Sequence, residues 1–135
     1  DKAMRDNGEI VDEIIRRFEQ ENAIVIYISD HGEEVHDVRA ICGHGDETSN
    51  WQREIPMLVW TSARFRAAYP ELQARLAGSV DRPYMTDDMI HTLLDLMQIS
   101  TPEYNPAKSI LNPAFDASRK RLLKGGVAYE RACID

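Results

Sequence analysis

"AIVIYISDHGEE", residues 23–34, is the stretch that decides the fold. Ala23 to Ile28 is apolar and rich in β-branched residues. It runs straight into Ser29, Asp30 and His31, then a glycine and two acids. A short β-branched run bounded by polar and turn residues predicts a strand, and its continuous apolarity predicts burial on both faces, as in a parallel sheet. In open α/β sheets ligands gather at the carboxyl ends of strands. An adjacent carboxylate and imidazole at that end are therefore candidate ligands. Asp30 and His31 can address one metal ion if the chain turns sharply, and Gly32 permits such a turn. The plain alternative is a polar strand end with an exposed histidine.

The segments on either side fit an α/β layer fold. Upstream, Ile10, Val11, Ile14, Ile15 and Phe18 recur at helical spacing, with Asp12, Glu13, Arg16 and Arg17 between them. A helix is expected over residues 1–22, with Asp6 and Glu9 as a capping box and Asn22 as its stop. The strand is expected over 23–31. Residues 32–53 carry no sustained period and read as a long active-site loop. "IPMLVWT", residues 55–61, predicts a second buried strand, with Pro56 near its start. Short helices are expected at 62–65 and 70–77. Thr86 is a candidate N-cap for a helix whose buried stripe is Ile90, Leu93, Leu94 and Met97. Residues 100–135 read as an extended, proline-spaced tail. Two strands alone leave sheet edges unpaired, so the chain is expected either to join a larger sheet or to pair with copies of itself.

Composition narrows the partners. The chain has 135 residues, 43% of them hydrophobic, and a net charge of −7, so it suits one globular domain. That charge argues against nucleic acid, whose phosphates need a basic surface, and is compatible with a divalent cation. The basic run at 118–121, Ser-Arg-Lys-Arg, reads as a solvated tail. No apolar run approaches a membrane span. Cys42 and Cys133 give no zinc-type spacing; they are either free thiols or one disulfide. The first residue is Asp1 rather than Met, which suits a piece of a longer protein.

Three of the four histidines, His31, His36 and His44, fall between residues 31 and 44. Such clustering after a buried strand points to a metal or phosphate site. His36, between Val35 and Asp37, reads more simply as a solvated loop residue. Glu33 and Glu34 are either acceptors that orient an imidazole or surface charge. His91 reads as a solvated helix residue, and Trp51 and Trp60 as packing residues.

"IVIYISDHGEE", the downstream "GHG" at 43–45 and "IPMLVW" together resemble the C-terminal part of a sulfatase-type enzyme of the alkaline phosphatase superfamily. Within it, the chain is most similar to the bacterial membrane-anchored phosphoethanolamine transferases. "RPYMTDDMIHTLLDLMQIST" resembles their following helix and "YNPAKSILNPAFD" their closing segment. The resemblance implies an α/β fold, a fragment of an α/β/α sandwich with a mostly parallel sheet. It implies zinc, one or two ions in the parent, with Asp30 and His31 as the adjacent metal ligands. His44 matches the later histidine that contacts the phosphoryl group or a second zinc, and is the candidate catalytic residue. The implied reaction moves phosphoethanolamine from a phospholipid donor, phosphatidylethanolamine, to a lipopolysaccharide or glucan acceptor through a threonine nucleophile.

The family's nucleophile lies far upstream of the Ser-Asp-His-Gly-Glu element, and Thr48, Thr61, Thr86 and Thr92 do not match it. The chain is thus expected to be an inactive C-terminal portion of a sulfatase-like catalytic domain. The parent is expected in the inner membrane, held there by an N-terminal region outside this chain, with the catalytic domain in the periplasm. The fragment is expected to form a dimer or higher oligomer through exposed strand edges. The alternatives are a sulfatase, phosphodiesterase or phosphoglycerol transferase of the same superfamily, and a non-catalytic interaction domain.

Overall fold

The computed structural model describes residues 2–45 and 49–129. Cys133 and Thr48 lie outside the described residues. The chain divides into two compact units, residues 1–28 with 56–74, and residues 29–55 with 75–135.

In the first unit, helix α1 spans Lys2–Phe18. It is already helical at Lys2, so Asp6 and Glu9 are interior residues and form no cap. The helix stops before Asn22, with the Glu21 N–H closing on the Phe18 carbonyl at 3.0 Å. Val11 and Ile15 are half-buried, whereas Ile10, Ile14 and Phe18 are exposed. Strand β1 follows at Ile24–Ile28.

The returning strand, Met57–Thr61, pairs with β1 in antiparallel register from Ile24↔Thr61 to Ile28↔Met57. The parallel arrangement expected of these two strands is therefore corrected. A parallel return requires a crossover that carries the chain back to the starting end, usually on a helix. Among the described residues of 29–56 there is no helix longer than one turn, and the chain re-enters opposite the residue where it left. The strands are also half-buried rather than buried on both faces, and Leu58 is exposed. Ser62 ends the strand and caps the next helix. Its hydroxyl accepts from the Phe65 N–H at 3.0 Å and from the Ala23 N–H at 3.2 Å. That helix, Ala63–Ala68, and the following one, Pro70–Ala77, bury Phe65 and Leu72.

The second unit begins at Ser29. Its first part is not one long loop. Strands β2, Glu34–Val35, and β3, Cys42–Gly43, form a small antiparallel hairpin, and helix α2 spans Asn50–Arg53. In chain order the later elements are β4 (57–61), α3 (63–68), α4 (70–77) and α5, Met89–Leu96. A 3₁₀ turn at Thr86–Asp88 leads into α5, and Thr86 lies inside that turn rather than at a cap.

Helix α5 meets the expected pattern only in part: Leu93 and Leu94 are half-buried, but the two ends of the stripe are not. Ile90 and Met97 are 54% and 56% exposed, whereas Asp88 and Thr92 are 0% and 3% exposed. The buried side is the polar one because the segment after α5 docks on it through hydrogen bonds. Thr92 Oγ1 accepts from the Ile110 N–H at 3.2 Å and shares a 2.7 Å bond with the Tyr84 hydroxyl. Asp95 Oδ2 accepts from the Ser109 hydroxyl at 2.7 Å and from the Asn112 amide at 3.1 Å. Asp88 is fully buried between two cations: Lys108 Nζ at 3.3 Å, and Arg119. Arg119 is thus a structural ion-pair partner, which corrects the reading of 118–121 as a solvated tail. Ile110 and Leu111 are buried beneath this network.

Candidate metal centre

The turn after β1 carries the candidate ligands, and its shape has a steric cause. The Gly32 N–H donates to the Gln52 carbonyl at 3.0 Å. A Cβ on residue 32 would stand 2.1 Å from the Trp51 carbonyl oxygen. Glycine is therefore required by the close approach of α2, not by a left-handed backbone. The expected sharp turn is present for a different reason than the one read from sequence.

Asp30 and His31 are brought together. The His31 N–H donates to Asp30 Oδ1 at 3.0 Å, and Asp30 Oδ2 lies 3.8 Å from His31 Nε2. The backbone N–H groups of Asp30 itself and of His31, then the His31 imidazole, hold the Asp30 carboxyl below its ordinary value of 3.8. Asp30 is thereby kept as the anion that ligation needs.

The tautomer of His31 follows from its partner. Nδ1 lies 2.9 Å from the Gly32 carbonyl oxygen, which can only accept, so Nδ1 carries a hydrogen, and in the neutral imidazole the lone pair is on Nε2. Nε2 is the atom that faces Asp30. His44 obeys the same logic. Its Nδ1 is 3.0 Å from Glu33 Oε2, and a carboxylate accepts, so its Nε2 is also available. The two imidazoles face each other with centroids 3.8 Å apart. Among the described residues, His31, Glu33 and His44 form a group whose potential ligand atoms all lie within 4.8 Å of one another.

A carboxylate oxygen and imidazole nitrogens are normal zinc ligands. Two ligands on one tetrahedral zinc stand about 3.3 Å apart, given bonds of about 2.0–2.1 Å. The 3.8 Å between Asp30 Oδ2 and His31 Nε2 is close to that spacing. The residues present fit a zinc ion as part of its ligand set.

The remaining candidates divide. Glu33 does orient an imidazole, that of His44. Glu34 touches none: it is fully buried, forked by Arg39 Nε and Nη2 at 3.1 and 3.2 Å, and bonded by Gln52 Nε2 at 3.1 Å. Arg39 first, with Gln52 and Ser49 helping, holds its carboxyl below the ordinary 4.5 although burial opposes this. His36 is exposed at φ +61°, its N–H bonded to the Ile41 carbonyl, and stays outside the cluster. His91 is not simply solvated, since Nδ1 accepts from the Asn105 N–H at 3.3 Å. Cys42 is exposed. The sequence reading missed Gln52 and Arg39, which support the turn from behind. Their only sequence signal is a buried acid that must find a cation.

Comparison with known proteins fits this geometry. The sulfatase family model matches residues 1–99. The chain is 36% identical over its whole length to phosphoethanolamine transferase EptC of Escherichia coli (strain K12), covering 23% of that protein. It is 34% identical over 84% of its length to phosphoethanolamine transferase CptA of Salmonella typhimurium, covering 19% of it. The crystal structure of the C-terminal periplasmic domain of EptC from Escherichia coli superposes with a TM-score of 0.81 at 31% identity, covering 93% of this chain and 37% of that one. The same domain solved in complex with Zn matches equally. The chain thus spans about a quarter or less of the curated relatives it matches. No helix among the described residues is long and apolar enough to cross a membrane. With its mixed α/β fold, its Asp-His-Gly-Glu turn and the match over residues 1–99, the chain belongs to the sulfatase family.

Proposed function

We propose that the chain forms the C-terminal part of the catalytic domain of a zinc-dependent phosphoethanolamine transferase, with Asp30 and His31 as metal ligands and His44 at the phosphoryl group. The observation that carries this reading is the pairing of Asp30 Oδ2 with His31 Nε2 at 3.8 Å, the opposite nitrogen of that imidazole being held by the Gly32 carbonyl. The named relatives, all phosphoethanolamine transferases, and the zinc complex of one of them support it.

The whole protein would move phosphoethanolamine from phosphatidylethanolamine to a lipopolysaccharide or glucan acceptor, through a threonine carried outside these 135 residues. Bound zinc would acidify a hydroxyl and polarise a phosphoryl oxygen. This chain's residues prepare that site. Asp30 supplies a carboxylate oxygen whose ionised form the neighbouring backbone N–H groups favour. Gly32 fixes the His31 tautomer. Glu33 holds His44 through Nδ1, which leaves Nε2 for the phosphoryl group or a metal. The proposed location is the inner membrane with this region in the periplasm. The exposed apolar row Ile10, Ile14 and Phe18 on α1 supports self-association of the isolated chain.

The test is transfer from labelled phosphatidylethanolamine by the full-length parent. Asp30→Ala and His31→Ala are each expected to lower the rate by at least about 100-fold, the upper end of what loss of a supporting group around a metal costs. Wild-type rates in both variants would sink the assigned roles.

A further inference from the structure

The last described segment of the chain forms a small hairpin of its own. Leu122 bridges Ala128, the Leu123 N–H donates to the Val127 carbonyl at 2.8 Å, and the Tyr129 N–H donates to the Arg121 carbonyl at 2.8 Å. Its tip is Gly125-Gly126, at φ +77° and +76°, two successive left-handed positions that glycine takes without strain. The hairpin delivers Tyr129 to α2. The Tyr129 hydroxyl donates to Glu54 Oε1, just past the end of that helix. Two guanidinium groups lie over the Tyr129 ring, Arg121 at 4.2 Å and Arg53 at 5.5 Å from its centroid. Arg53 in turn donates through Nε to the Ser49 carbonyl at 3.2 Å.

The opposite side of α2 meets the ligand turn. Gln52 receives the Gly32 N–H on its carbonyl and sends its side-chain amide to buried Glu34, while the Trp51 carbonyl crowds the Gly32 α-carbon. Helix α2 has four residues, too short to hold its own shape, so its position must come from what it touches.

We infer that the 121–129 hairpin is a latch that sets the position of the 30–33 turn through α2, with Tyr129 and Glu54 as positioning residues. The significance of that turn as a metal-ligand site rests on the proposed function. The mechanical link does not, and the test below needs no metal.

Amide hydrogen exchange is followed at Gly32 in this chain, in the presence of a chelator, with Ile99 as the reference. The Ile99 N–H is bonded to the Leu94 carbonyl at the end of α5, not to a residue of the latch. Tyr129→Phe removes only the hydroxyl, and Glu54→Ala removes its acceptor. Each is expected to speed Gly32 exchange by about tenfold, the scale of one hydrogen bond to a charged acceptor, with Ile99 changed less than about twofold. Glu54→Gln keeps an acceptor oxygen and is expected to stay within about threefold of the unaltered chain. The double variant Tyr129→Phe/Glu54→Ala should match either single one, because one bond is lost once. Unchanged Gly32 exchange in both single variants overturns the latch. So does equal acceleration at Ile99, which would report general loosening. Failure of the metal reading would show instead as unaltered transfer in Asp30→Ala, with the exchange pattern intact.

Discussion

Replacing Gly32 by alanine would place a Cβ 2.1 Å from the Trp51 carbonyl oxygen and 3.0 Å from its carbon. A carbon and a carbonyl oxygen normally stay about 3.3 Å apart, so the turn must retreat by about 1 Å. The neighbour is backbone, pinned on its far side by the Glu54 N–H to Asn50 carbonyl bond and the Arg53 to Ser49 bond, so it has little room to yield. A 1 Å retreat takes the Gly32 to Gln52 bond from 3.0 Å to about 4 Å and breaks it. The lost bond costs about 0.5–1.5 kcal/mol and the forced packing about 1–3 kcal/mol. Alanine returns about 0.4–1 kcal/mol by restricting the unfolded chain. The net expectation is destabilisation by about 0.5–4 kcal/mol, read as a lower urea midpoint at unchanged slope. Gly8→Ala is the matched control. Gly8 lies within α1 with nothing inside 4 Å of its added carbon, and alanine there should stabilise by about 1 kcal/mol. Equal or greater stability of Gly32→Ala, beside a stabilised Gly8→Ala, would refute the close approach of α2 to the ligand turn.

Three further outcomes are expected. Gln98 closes α5 in the left-handed region at φ +56°, with the Ile99 N–H reaching the Leu94 carbonyl, so Gln98→Gly should raise stability by about 0.5–1 kcal/mol in the same urea titration; no gain would mean the left-handed turn is not strained. Asp88→Ala leaves Lys108 and Arg119 without their buried anion and should cost about 2–4 kcal/mol, the lower end because both cations reach water, and a change below about 0.5 kcal/mol would show the pairs do not form. The Glu34 carboxyl is held below 4.5 by Arg39, so the unfolded chain binds its proton first as the solution is acidified. Its contribution is complete above about pH 4.5 and is lost as pH falls through the lowered folded value. Comparing urea midpoints at about pH 6 and about pH 3.5, Glu34→Gln should show a smaller acid loss than the unaltered chain; an identical loss would remove Glu34 from the account.

How much of this was legible in the sequence depends on whether the signal was local. The existence of α1, β1, β4 and the two short helices followed from apolar spacing and from Pro70 at the first turn of the second one, signals that act within a few residues. The meeting of Asp30 with His31 was legible because they are adjacent. The direction of strand pairing was not, since it depends on where a 28-residue connection returns, and β-branched runs look alike in either direction. Burial of α5 was read only in part, for a related reason: Leu93 and Leu94 are half-buried, but the most buried positions are polar. Asp88, Thr92 and Asp95 stand at helical spacing and look like a water-facing stripe, and only the partners at Lys108, Ser109, Ile110, Asn112 and Arg119 turn that stripe inward. Glu33 and Glu34 are neighbours of one chemical type with opposite fates, one on an exposed imidazole and one sealed against Arg39. Strand alternation separates their faces, but nothing local says which face is covered.

The polar docking of α5 has a consequence for how this region tolerates changes in length. A greasy seam can slide by a residue and still exclude water. Here Thr92 and Asp95 take up Ile110, Ser109 and Asn112 at fixed offsets, and Asp88 takes up Lys108. One inserted or deleted residue between 104 and 108 would shift all of these contacts together and strand a buried carboxylate. The segment is therefore keyed to the helix like teeth to a lock, open to substitution on its outer face and closed to insertion along its length.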